Sequence, residues 1–259
     1  MIKRELQIFF TALMFYTRIP CPKWVNHDPE YLNLSTRYFP LIGWIVGGTS
    51  WLVFSLSLYI FPGEISILLS MVASILMTGA FHEDGLADVC DGFGGGWTKE
   101  KILLIMKDSR VGTYGVVGLV FVLVLKFYSL SQLVFNDIYS YGLIIVTAHA
   151  LSRLAAVGII FMTSYARENE DSKAKPVAQQ LSAKNFIIAI FWTVIPAAAL
   201  LYSHTAFIIM IIPVVIMTVY LRYYFIKWIG GYTGDCLGAT QQITEVIIYL
   251  SLIVIWRFI

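Results

Sequence analysis

The stretch His82-Glu83-Asp84-Gly85-Leu86-Ala87-Asp88-Val89-Cys90-Asp91 sets four carboxylates in a chain that is 58% hydrophobic. Asp84, Asp88 and Asp91 fall at i, i+4 and i+7, so on a helix they share a face, with Glu83 to one side. Like charges at that spacing repel, and a cation among them removes the repulsion. Magnesium suits the position, because it takes oxygen ligands and is commonly held by one or two carboxylates plus substrate phosphates. The spacing points to Asp84, Asp88 and Asp91 as Mg²⁺ ligands, with Glu83 a further candidate off to the side. A solvated acidic loop, or pairing with Lys99, Lys101 or Arg110, would also account for the acids. Gly85 and Gly92 leave both helix and loop open. His82 reads equally well as a ligand or as a hydrogen-bonded structural histidine.

Four further groups of residues carry chemistry. Gly92-Phe93-Gly94-Gly95-Gly96 is a turn whose backbone N–H groups could approach a phosphate, although it lacks the strand and the Gly-Lys-Ser/Thr of a P-loop. In Met106-Lys107-Asp108-Ser109-Arg110-Val111-Gly112-Thr113-Tyr114-Gly115, Lys107 and Arg110 are three apart and can face one partner, and Arg suits bidentate phosphate contact. The same bases would serve as the flank of the next apolar segment. Lys126, His149 and Arg153 fall inside apolar segments, where a charge marks function by default. Lys126 and Arg153 could line one cationic cavity; the alternatives are snorkelling or a buried ion pair. Asp235 and Glu245 lie in a polar island, 230–245, and can supply metal or hydroxyl contacts.

The elements that position these residues belong in a membrane. Charged residues make up 13% of the chain, about half the ~25% typical of soluble domains, and the mean hydropathy is +0.76. Apolar segments at roughly 41–61, 65–81, 116–135, 142–162, 186–202, 205–222 and 243–256 are long enough to cross ~30 Å of hydrocarbon. Residues 6–16 are short for a span and read as an interfacial helix or as a helix buried against the bundle. The expected fold is all-α, a polytopic membrane bundle of about seven spans plus that N-terminal helix, in one domain over 1–259. Pro196 and Pro213 inside spans are tolerated where neighbouring helices satisfy the freed carbonyls. The net charge of +2 gives no case for nucleic acid, and three distant cysteines argue against a disulfide scaffold or structural zinc. No cleavable signal peptide is apparent. With residues 1–40 in the cytoplasm, nearly every Lys and Arg outside the spans falls on the cytoplasmic side, Arg167, Lys173 and Lys175 included. The predicted orientation is therefore N-terminus in and C-terminus out, with the acidic stretch cytoplasmic.

Together these motifs resemble the cobalamin-5'-phosphate synthase, or adenosylcobinamide-GDP ribazoletransferase, family. The segments that carry the resemblance are HEDGLADVCDGFGGG, MKDSRVGTYG and GGYTGDCLGA, with YTRIP at 16–20, YFPLIG at 38–43, and YARE at 165–168 with 173–176. Gln241 stands where relatives often carry an acid, so no metal role is assigned to it. The resemblance implies that the ribose 3'-hydroxyl of α-ribazole, or of its 5'-phosphate, attacks adenosylcobinamide-GDP. GMP leaves and the cobalamin nucleotide loop is closed, in a Mg²⁺-dependent enzyme of the bacterial inner membrane. In this reading Asp84, Asp88 and Asp108 are catalytic. Lys107, Arg110, Lys126, Arg153 and Asp235 bind substrate. A homo-oligomer, or association with other cobalamin-assembly enzymes, is left open. Two rival readings remain. A CDP-alcohol phosphatidyltransferase also gathers aspartates, but Asp88 stands where that pattern leads toward Arg. A cation or metabolite transporter often shows internal repeats, and none is visible.

Overall fold

Two consecutive left-handed residues organise the architecture. The computed structural model describes residues 2–26, 28–134, 138–166 and 181–258. Helix α4 (Gly63–Thr78) ends where Gly79 (φ 68°) and Ala80 (φ 59°) turn the chain, and α5 (Phe81–Gly95) leaves at 87° to it. The Gly79 N–H donates to the Leu76 carbonyl at 3.2 Å and the Ala80 N–H to that of Ile75 at 2.9 Å. These are the two bonds of a Schellman motif. The apolar segment predicted at 65–81 is thus a short helix, about 24 Å long, that stops at a built-in break. The acidic stretch is a helix of its own.

Ala80 is the one non-glycine residue with positive φ among those described, a conformation that costs an L-residue about 1–2 kcal/mol. Ala80→Gly is expected to stabilise the protein by about 0.5–1 kcal/mol after the entropy cost of glycine. The check is a rise of a few degrees in the melting temperature in detergent; a fall would mean that the alanine methyl contributes more packing than the turn costs.

The other helices are α1 (Ile2–Tyr16), α2 (Pro29–Ser35), α3 (Phe39–Ser57), α6 (Lys99–Ile105), α7 (Thr113–Leu133), α8 (Ile138–Met162), α9 (Ala183–Ser203), α10 (Ile211–Ile229) and α11 (Gly234–Arg257). Short 3₁₀ turns precede α3 and α10. No strand occurs among the described residues. Among the described residues, six helical stretches are long and apolar enough to cross a membrane, or seven if the α4–α5 pair is one span. The fold is an all-α polytopic bundle. The resemblance positions 167–168 and 173–176 lie outside the described residues.

Helix α8 runs through the middle of the bundle, with 83% of its most apolar window buried, against 22% for α7 and α9 and 28% for α10. Small residues let neighbours close on α8. Gly43 and Gly47 of α3 are examples: a methyl added at Gly43 would sit 2.5 Å from the His149 carbonyl oxygen, and one at Gly47 3.0 Å from the Val146 Cα. The more exposed, uniformly apolar α7, α9 and α10 suit contact with lipid chains. Helix α1 is less peripheral than an interfacial helix. Its Ile8, Ala12, Leu13 and Tyr16 are buried, and Tyr16 stacks on Phe39 at 4.1 Å. Its Glu5 pairs with Arg37 at 2.5 Å. The alternative of a helix buried against the bundle is the one realised.

Candidate active site

Helix α5 carries the acids and is held from two sides. On one side it lies against α11, where glycines permit backbone contact. A methyl at Gly85 would meet the Asp235 carbonyl oxygen at 2.9 Å, and one at Gly238 the His82 carbonyl oxygen at 3.1 Å. This approach sets the backbone of Asp235 beside α5, so the polar island at 230–245 joins the acidic stretch. Thr233 caps α11, and its hydroxyl also donates to Asp235 Oδ2 at 3.2 Å.

On the other side α5 meets the start of α7. Asp91 Oδ2 accepts from the Gly112 N–H at 2.6 Å and Oδ1 from the Gly115 N–H at 2.8 Å. The first N–H groups of a helix lack intrahelical partners and favour negative charge. A side chain on either glycine would collide with the Asp91 carboxylate. The run Gly112-Thr113-Tyr114-Gly115 is thus a nest for one carboxylate. Asp91 docks α7 on α5.

The four acids therefore do not converge. Asp84 is exposed and Asp88 half-buried on one face of α5, whereas Asp91 and Glu83 are buried. Among the described residues, no three His, Cys, Asp or Glu side chains are grouped so as to hold one ion. Of the four expected ligands, Asp91 holds the start of α7 and Glu83 turns into the bundle, while Asp84 and Asp88 lie on the outer face of α5. Asp84 and Asp88, one helical turn apart on that face, fit an ion completed by substrate phosphates.

Lys107 and Arg110 are exposed in the connection between α6 and α7. The Arg110 guanidinium grips Asp108 through Nε at 3.0 Å and Nη2 at 2.7 Å, and its backbone N–H adds a bond at 3.1 Å. Arg110's side-chain and backbone hydrogen bonds hold the Asp108 carboxyl at about 2, against an ordinary 3.8. A carboxylate so held is a poor proton acceptor near neutral pH. Because the folded value is the lower one, the pairing stabilises the protein above pH ~4 and is lost as pH falls toward 2. Asp108→Asn is accordingly expected to leave the shape of the pH–rate profile unchanged from pH 5 to 9. A displaced acid limb in the variant would restore Asp108 as the base.

Lys126 and Arg153 do line one cavity, as their spacing allowed, but its charge and size differ from a phosphate pocket. Lys126 Nζ lies 2.7 Å from Glu245 Oε1. Arg153 Nη1 donates to the His149 carbonyl at 2.9 Å and lies 3.1 Å from His149 Nδ1. With that nitrogen accepting, the imidazole carries its proton on Nε2, which lies 3.5 Å from Glu245. Glu245 also accepts from Gln241 at 2.7 Å and from the Tyr249 hydroxyl at 2.9 Å. Gln242 bridges Gln241 at 3.0 Å and Glu83 Oε1 at 2.9 Å. Two buried cations thus face two buried carboxylates in a cavity too small for a phosphate.

Sequence reasoning grouped Glu245 with the polar island but missed its depth and its partners Lys126, Gln241 and Tyr249. The signal lay in the adjacent glutamines at the head of an apolar segment. Arg222 also went unremarked; its guanidinium donates to the Met162 carbonyl at 3.0 Å and to the Thr163 hydroxyl at 3.0 Å, closing the end of α8.

Comparison with known proteins gives a consistent result. Residues 8–253 match the model of a family described as cobalamin-5-phosphate synthase. The chain is 46% identical over 253 residues to an adenosylcobinamide-GDP ribazoletransferase of Shewanella piezotolerans, covering 98% of this chain and 97% of the relative. It is 45% identical over 267 residues to the protein of that name from Leptospira interrogans, covering 100% and 99%. The Shewanella oneidensis protein of that name is 44% identical over 252 residues, covering 97% and 95%. No solved structure gives a significant match.

Proposed function

Because the chain belongs to the cobalamin-5-phosphate synthase family, we propose that the exposed face of α5 is where it closes the cobalamin nucleotide loop. The enzyme transfers the adenosylcobinamide phosphate group from adenosylcobinamide-GDP to α-ribazole or its 5'-phosphate. The ribose hydroxyl oxygen forms a bond to phosphorus, the bond from that phosphorus to the GMP oxygen breaks, and the hydroxyl proton passes to a base. Such a transfer depends on positioning and on stabilising charge at the phosphate oxygens.

The observation that carries this reading is the placement of Asp84 and Asp88. The break at Gly79-Ala80 turns α5 so that Asp84 is exposed and Asp88 half-buried, at the end of the bundle shared with exposed Lys107 and Arg110. Asp84 and Asp88 would hold Mg²⁺, which when bound neutralises charge on the diphosphate. Lys107 and Arg110 contact its phosphates, Arg110 through Nη1 while Nε and Nη2 stay on Asp108. Asp235, brought beside α5, orients a substrate hydroxyl. The proton acceptor is Asp84 or Asp88, because Asp108 is too weak a base. Lys126 and Arg153 act from behind, by pinning α7 and α8 to α11.

The protein sits in the bacterial inner membrane, with α4 completing a seventh crossing despite its 16 residues. Leu68, Val72 and Leu76 give α4 an exposed apolar stripe suited to lipid. The Lys and Arg excess then places the N-terminus and the α5 face in the cytoplasm. Purified protein with ribazole phosphate and adenosylcobinamide-GDP is expected to release GMP, to stop in EDTA and to recover with added Mg²⁺. Turnover unaffected by EDTA would remove the metal, and no GMP release under any condition would remove the reaction. Release of CMP from CDP-diacylglycerol and a polyol is not expected.

A further inference from the structure

Behind the acidic face lies a cluster of buried polar atoms without partners. His82 Nδ1 and Nε2, Glu83 Oε2, Arg153 Nε and Gln242 Oε1 are all enclosed and make no hydrogen bond. Their residues are 2%, 6%, 1% and 3% exposed, so no solvent reaches them. All four line one cavity, where α4, α5, α7, α8 and α11 meet. An unsatisfied buried polar atom costs about 1–3 kcal/mol, and such atoms are normally paired with protein or ordered water. Five orphans on one small space therefore point to a ligand.

The chemistry of the orphans selects that ligand. Arg153 Nε is a donor, Glu83 Oε2 and Gln242 Oε1 are acceptors, and a neutral His82 offers one of each. A metal cation would leave the Arg153 donor unmet and face the Lys126 ammonium. An anion would meet the carboxylates of Glu83 and Glu245. A neutral molecule that both donates and accepts meets four of the five atoms: it accepts from Arg153 Nε and one His82 N–H, and donates to Glu83 Oε2 and Gln242 Oε1. The space accommodates about one water molecule, which excludes a phosphate or a sugar.

We infer that this cavity is a binding site for a buried water molecule that bridges His82, Glu83, Arg153 and Gln242. The bridge ties the first turn of α5 to α8 and α11. Glu83 precedes Asp84 in the chain, so the water sets the rotation of the helix that presents the acidic face. It also lets the charged layer of the bundle persist between two apolar clusters.

Pulsed X-ray hydroxyl-radical labelling of the intact protein in nanodiscs tests the site, because radicals formed from a held water oxidise the side chain beside it. After correction for intrinsic reactivity, His82 is expected to be oxidised several-fold faster than Phe54, which is as deeply enclosed and lies in an apolar cluster. A His82 rate equal to that of Phe54 would overturn the inference. Gln242→Leu removes one anchoring carbonyl and puts a methyl into the space, so the His82 rate should fall toward that of Phe54. An unchanged or higher rate in a folded variant would also overturn it, since bulk water entering by fluctuation would then account for the labelling.

Discussion

Glu245→Ala is expected to destabilise the bundle more than any other single change considered for this protein. Glu245 is fully enclosed and receives Lys126 at 2.7 Å, Gln241 at 2.7 Å and Tyr249 at 2.9 Å. Its removal leaves the Lys126 ammonium buried without a counter-charge and strips acceptors from two further donors. Breaking one partner of a buried pair costs about 3–5 kcal/mol, which for a chain of this size lowers the melting temperature by on the order of 10 °C. The double change Lys126→Met with Glu245→Leu removes both charges and is expected to recover most of the loss, because replacing a whole pair by apolar groups is often neutral. Thermal unfolding of the three proteins in one detergent decides the matter. Equal melting temperatures for the wild type and Glu245→Ala would show that the ion pair is not formed in the membrane protein.

The second large effect is on turnover. Asp84→Asn and Asp88→Asn keep side-chain shape and remove charge from the exposed face of α5. Each is expected to lower kcat for GMP release by about 10²–10³-fold, the range seen when a group that stabilises transition-state charge is lost. Folding should be retained, since neither position belongs to the enclosed core. Asp91→Asn provides the contrast. Its carboxylate accepts from Gly112 and Gly115, so its loss should act through the docking of α7, lowering the melting temperature as well as activity. Near-normal turnover in folded Asp88→Asn protein would take Asp88 out of the site. A purely kinetic effect of Asp91→Asn would return Asp91 to the metal.

Much of this was legible from residue order. Long apolar runs with few charges have one stable solution in hydrocarbon, since each backbone group must be satisfied within its own segment. Most spans were therefore readable to within about four residues, whereas the helices α10 and α11 extend well beyond their apolar segments, to Ile229 and back to Gly234. The i, i+4, i+7 spacing of Asp84, Asp88 and Asp91 was also readable, because helical geometry is local. The family resemblance added the reaction, which spacing alone does not name.

What each carboxylate does was not legible. Asp84, Asp88 and Asp91 are equivalent by spacing, yet α7 brings two backbone N–H groups to Asp91 and none of the sequence rules sees that contact. Glu83 is adjacent to Asp84 in the chain but faces Gln242, 159 positions away. For Lys126 and Arg153 a cationic cavity and a buried ion pair both stayed open until α11 brought Glu245 between the helices that carry them. The break at Gly79-Ala80 was hidden because Ala80 is an ordinary helix former, held left-handed by the Schellman bonds and the packing around it. Composition and periodicity determine that acids stand at the end of a membrane helix, for those depend on neighbours within a turn or two. Which acids remain available for chemistry is decided by long-range packing, because a charge in a low-dielectric interior takes whatever partner the fold brings within reach.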